Sequence, residues 1–91
     1  KSNAFRQVVM VEFPHKDAWT IAFVTADTPE DVAHALGKDD LVTVYVPTTP
    51  NPTSGFLFVV PKSELVYLDM SAGEAMKLII SGGAVVPEKK L

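Results

Sequence analysis

Apolar positions in this chain fall mostly in short runs of β-branched and aromatic residues, each closed by Pro, Gly or a small polar cluster. Gln7-Val8-Val9-Met10-Val11-Glu12-Phe13 stops at Pro14 and predicts a strand. A polar turn, His15-Lys16-Asp17, follows. Beyond it Trp19, Ile21 and Phe23 recur at period two, so residues 7–13 and 19–25 predict an antiparallel hairpin. Residues 41–46 predict a third strand. Residues 56–60, almost wholly apolar, predict a fourth, expected to be central and covered on both faces. Pro61-Lys62-Ser63-Glu64 predicts a turn and residues 65–68 a short fifth strand. Ala84-Val85-Val86-Pro87 is extended and offers a sixth strand at an edge.

Two stretches switch to helical spacing. In the first, Thr28 is placed to cap, Pro29 to take the first helical position and Asp31 to act as the capping-box acid. Val32, Ala33, Ala35 and Leu36 give it an apolar side, and Gly37 stops it after about two turns. The second carries the clearest local signal in the chain. Ser71 and Glu74 form a capping box, with Met70 and Ala75 placed as a hydrophobic staple. Ala72, Ala75, Met76, Ile79 and Ile80 share one face, and Gly82-Gly83 ends the helix. The order ββαββ(β)αβ lacks the strict alternation of a doubly wound parallel sheet. It predicts a small α+β domain: a mainly antiparallel five- to six-stranded sheet or partial barrel with two short helices.

Composition narrows the class. The chain has 91 residues, 47% hydrophobic and 21% charged, with net charge -3 and no cysteine. That predicts one ordered domain over residues 1–91, with its core at 5–87. It excludes a disulfide scaffold, a thiolate zinc site and a cysteine nucleophile. The acidic balance argues against binding nucleic acid through its phosphates. No apolar run approaches the roughly 18 residues needed to span a bilayer. Residue 1 is Lys, so the chain is expected to be a fragment, a processed form or an expression product.

Candidate chemistry is sparse. His15, Lys16 and Asp17 are adjacent in a turn and lack the separation a catalytic triple needs. Glu30 or Asp31 with His34 gives two potential metal ligands on one helix face, with no third in view. The acidic stretch of Asp27, Glu30, Asp31, Asp39 and Asp40 reads chiefly as helix-start acids and a charged turn. Asn51-Pro52-Thr53 has Pro where a glycosylation acceptor forbids it. Gly82-Gly83 reads as a helix cap in preference to an anion nest. The unusual segment is residues 47–55, with Pro47, Pro50 and Pro52 and no charge. Such a stiff, hydroxyl-rich loop suits recognition, with Thr48, Thr49, Asn51, Pro52, Thr53, Ser54 and Phe56 as contacts. It suits still better a strand connection whose hydroxyls bond its own backbone.

Read together, residues 46–56 (Val-Pro-Thr-Thr-Pro-Asn-Pro-Thr-Ser-Gly-Phe) and residues 70–87 resemble two signatures of the membrane-protein family called domain of unknown function 502. The plant LIKE COV (continuous vascular ring) proteins are part of that family. Val8-Val9-Met10-Val11-Glu12-Phe13-Pro14, with Trp19 and Phe23-Val24-Thr25, is similar as well, so the resemblance runs from about residue 5 to 87. Residues 13–17 depart from the family pattern, which often has Tyr-Pro and a basic residue with Gly there. The resemblance implies the C-terminal soluble domain of a protein with two N-terminal transmembrane helices, facing the cytoplasm. It brings no catalytic residue and no cofactor.

The expectation is therefore a non-enzymatic cytosolic domain of an integral membrane protein, with no cofactor, metal, nucleic acid or small-molecule substrate. It would associate with itself or another protein and reach the membrane through segments outside this chain. The alternative expectation is a regulatory or gating domain of a channel- or transporter-like protein. Ser71, Glu74, Gly82 and Gly83 are expected to be structural.

Overall fold

A computed structural model describes residues 7–88. Residues 5 and 6 of the expected core and residues 89–91 of the polar tail lie outside the described residues. Strands β1 (Gln7–Glu12), β2 (Trp19–Asp27), β3 (Leu41–Pro47), β4 (Gly55–Pro61) and β5 (Val66–Tyr67) form one sheet in the order β4-β3-β2-β1-β5, with every pairing antiparallel. Helix α1 (Glu30–Leu36) joins β2 to β3, a 3-10 turn (Lys62–Glu64) joins β4 to β5, and α2 (Ala72–Ile80) follows β5. The α+β expectation holds, with five strands among the described residues.

The sheet curls. A flat sheet sets β1 and β4 three strand spacings apart, about 14 Å. Phe13, continuing β1, nevertheless brings its ring centroid to 5.1 Å from Phe58 and 5.3 Å from Phe56 on β4. The connection from β4 to β5 agrees: the few residues from Pro61 to Val66 carry the chain from one edge of the sheet to the other. Extended, those five steps reach about 17 Å, whereas four flat spacings need about 19 Å. The 3-10 turn shortens the reach further.

Alternation sorts the strand residues onto two faces. Val9, Val11, Ala22, Val24, Val42, Val44 and Val46 line the concave face, closed by Leu65 from the connection and flanked by Phe13, Phe58 and Val60. On the opposite face Val8 and Phe23 pack against Ala75 and Ile79 of α2, with Ile21, Tyr45, Leu68, Met70 and Met76 around them. Both faces of β1 and β2 are thus filled, one by curl and the other by a helix.

Helix α2 follows its local code. Ser71 Oγ accepts from Glu74 N–H at 3.0 Å, and Glu74 Oε1 accepts from Ser71 N–H at 3.0 Å. Met70 and Ala75 meet in the second core cluster, as a staple should. Ile80 departs from the expected face and is half exposed.

Four other expectations are corrected. Residues 56–60 belong to an edge strand, β4, because the chain returns over the sheet end instead of adding a sixth strand outside it. Residues 84–87 form no strand. Helix α1 starts one residue later than the Thr28 signal predicts. Pro29 occupies the cap position without a side-chain cap bond, and its carbonyl accepts from Ala33 N–H at 3.1 Å. Thr28 Oγ1 is instead buried without a hydrogen-bond partner. Finally, α1 buries none of its residues, and Leu36 is 54% exposed, so its apolar side is not a core face. Gly37 does end it, at φ 68°.

Candidate functional site

Strand direction sets which residues meet. The ends of β1 and β3 and the starts of β2 and β4 lie together, so Phe13, Trp19, Pro47 and Gly55 share one end of the sheet. The loop of residues 48–54 crowns that end as a hairpin connection, and the last turn of α2 comes up beside it.

The loop is braced from within. Thr48 N–H donates to the Ser54 carbonyl at 2.9 Å. Thr48 Oγ1 lies 2.6 Å from the Asn51 carbonyl, 3.0 Å from the Ser54 carbonyl and 2.9 Å from Ser54 Oγ. Asn51 Oδ1 accepts from Thr53 N–H at 3.1 Å and from Thr53 Oγ1 at 2.6 Å, an Asx turn with a second donor. From beneath, the Tyr45 hydroxyl reaches the Pro52 carbonyl at 2.5 Å and the Ser54 carbonyl at 2.9 Å. Thr49 Oγ1 donates outside the loop, to the Ile79 carbonyl in the last turn of α2. The Thr49-Pro50 and Phe13-Pro14 peptide bonds are both cis.

Candidate contacts therefore divide by role. The oxygens of Thr48, Asn51, Thr53 and Ser54 hold the loop's shape, and that of Thr49 ties the loop to α2. Pro52 offers its carbonyl to Tyr45. Phe56, half exposed, is the large apolar group among them and stacks its ring 6.2 Å from Phe58. Sequence reasoning missed Tyr45, Trp19 and Ile79 as parts of this end. The first two lie on strands that the pattern predicted, yet nothing local says that they meet the loop or α2.

Beside the loop runs an open groove of about 460 Å³, lined by Met10, Trp19, Ile21, Thr49, Leu78 and Gly82 among others. Gly82 and Gly83 take φ 66° and 92° and donate to the carbonyls of Ile79 and Leu78 at 3.1 and 2.8 Å. Their N–H groups cap the helix and do not gather into an anion nest.

The other candidates stay apart. His15 and Asp17 sit exposed in the β1–β2 turn, where Asp17 N–H donates to Glu12 Oε2 at 2.9 Å. Glu30, Asp31 and His34 are exposed on α1. Among the described residues no three His, Cys, Asp or Glu side chains group to hold a metal ion. Among the same residues no helix is long and apolar enough to cross a membrane.

The family model described as "Protein of unknown function (DUF502)" matches residues 1–54, from before β1 to the end of the β3–β4 loop. Protein LIKE COV 3 of Arabidopsis thaliana is 28% identical over 86 residues, 94% of this chain and 30% of that protein. Protein LIKE COV 2 of the same plant is 28% identical over 87 residues, 96% of this chain and 32% of that protein. The chain thus spans about a third of the length of the curated relatives it matches. No solved structure matches it.

Proposed function

The chain belongs to the DUF502 family of proteins of unknown function, and from that premise we propose that it is a non-enzymatic, cytoplasmic domain of an integral membrane protein, working by association with itself or with another protein. The observation that carries this reading is β4. This strand, Gly55-Phe56-Leu57-Phe58-Val59-Val60-Pro61, has no charged residue and forms an edge of the sheet, with Leu57 71% exposed. Sheet edges left in water are ordinarily guarded by charge, proline, a bulge or cover, because an open edge recruits other strands. An uncharged edge strand that exposes large side chains is the signature of a surface meant to be covered.

The loop end supports the same reading from another side. The hydroxyls of Tyr45, Thr48 and Thr49 are spent on backbone carbonyls, an arrangement that fixes a surface instead of activating a nucleophile. A fixed loop loses little conformational freedom on binding. The membrane part of the proposal rests on the relatives' length, about three times the stretch they share with this chain. That leaves room for the transmembrane helices the resemblance implies.

Crosslinking with mass spectrometry on the full-length protein in its native membrane tests the reading. Lys62 follows β4 directly and supplies the reactive amine. The expected result is Lys62 crosslinks to a second, isotope-labelled copy or to another protein, in a fraction that resists carbonate extraction. Crosslinks confined to one chain, or release by carbonate, would contradict it.

A further inference from the structure

The hydrogen-bond phase of β4 shows which of its backbone groups are open. Thr48 N–H donates to the Ser54 carbonyl and Lys62 N–H to the Asp40 carbonyl, each at 2.9 Å, so hydrogen-bonded positions bracket the β3–β4 ladder at both ends. Antiparallel alternation then puts Phe56, Phe58 and Val60 at hydrogen-bonded positions opposite Val46, Val44 and Val42. The N–H and C=O groups of Gly55, Leu57 and Val59 consequently point away from β3. Among the described residues no strand lies outside β4 to receive them.

We infer that β4 pairs antiparallel with β4 of a second copy of this chain, across a two-fold axis at Phe58. This deepens the association reading above and rests on it. In this register Leu57 faces Val59 of the second copy, and each N–H and C=O of the two residues finds a partner. Gly55 faces Pro61 of the second copy, which lacks an N–H and serves as acceptor only. The two five-stranded sheets become one continuous sheet.

Three observations select a second copy as the occupant. The first is length: the other edge strand, β5, has two residues and cannot template a ladder, so β4 pairs with its own kind and the contact closes at two chains. The second is charge. Each chain carries a net charge of -3, yet β4 and loop residues 48–54 hold no acid. Lys62 is the nearest charged residue, and in this register it falls opposite the neutral Ser54 of the second copy. The third is side-chain fit. The pairing sets Leu57, 71% exposed, against Val59 of the second copy and continues the Phe56–Phe58 row across the axis.

The test is sedimentation velocity on the 91-residue chain over a concentration series, with Leu57→Lys and Leu57→Ser alongside. Leu57→Lys sets like charges on either side of the axis. Leu57→Ser keeps the ladder and removes only the apolar contact. Far-UV circular dichroism identifies a variant that has lost its fold, and the other variant then decides. A single-strand seam falls in the small, weak class of interfaces, so the wild type is expected to dimerise in the micromolar range or above. The folded Leu57→Lys variant is expected to dimerise at least tenfold more weakly, and Leu57→Ser less weakly than that. Equal dimerisation of wild type and both variants would overturn β4 pairing while leaving self-association standing. A wild-type monomer up to about 1 mM would overturn both.

Discussion

The Thr49 hydroxyl donates to the Ile79 carbonyl, joining the β3–β4 loop to the last turn of α2 across 30 residues. The same carbonyl accepts from Gly82 N–H at 3.1 Å. A helix end leaves its last carbonyls without intrahelical partners, and here the loop helps to supply one. The two stretches that carried the family resemblance, around residues 46–56 and 70–87, meet in this one bond.

Thr49→Val keeps the shape of the side chain and removes the donor. Because Thr49 itself is exposed, water can replace the lost partner, and the expected loss is about 1 kcal/mol. For a domain of this size that lowers the melting temperature by roughly 4–8 °C. Urea denaturation followed by circular dichroism measures the first and a thermal scan the second. An unchanged midpoint would mean that the loop and helix are held together by other contacts.

Gly55 is where the loop enters β4, and it has no room for a side chain. A Cβ there would collide with the Val46 carbonyl oxygen and would stand 2.8 Å from Tyr45 Cε1 and 2.9 Å from Pro47 Cα. Two of these obstacles are backbone atoms, so relief requires moving β3 or β4. Gly55→Ala is expected to cost about 3 kcal/mol, at the upper end of overpacking penalties. Chemical denaturation checks it, and a cost below about 1 kcal/mol would show that the hairpin shifts more easily than its bonds imply.

Thr28 points the other way. Its Oγ1 is buried without a hydrogen-bond partner, and burying an unsatisfied hydroxyl is costly. Thr28→Val keeps the shape and removes the polar atom. Stability is expected to hold or rise by up to about 1 kcal/mol. A clear loss on denaturation would mean that the hydroxyl caps α1 in solution after all, as the sequence first suggested.

These residues also mark how far the sequence could be read. Helix α2 was legible because its capping box, staple and glycine stop are written within a few residues of one another. The β1–β2 hairpin was legible from a β-branched run closed by Pro14, a short polar turn, and the period of two in Trp19, Ile21 and Phe23. β4 was misread as central because an apolar strand looks the same wherever it lies. Here curl, not a second layer, covers Phe58 and Val60, and no local pattern announces curl. Thr28 was misread because a capping signal one residue early competes with Pro29 for the start of α1. The loop was half legible: its hydroxyls and prolines suggested internal bracing, but Tyr45 beneath it and Ile79 beside it are long-range partners without a sequence signal.

Amide hydrogen exchange resolved by residue reads association through the open edge of β4 directly on the 91-residue chain. Phe56, Phe58 and Val60 should exchange slowly at every concentration, since their N–H groups face β3. Leu57 and Val59 should exchange fast in dilute solution and slow by at least tenfold as concentration rises and the second copy closes the edge. Leu57 and Val59 amides that stay fast at all concentrations would contradict association through β4.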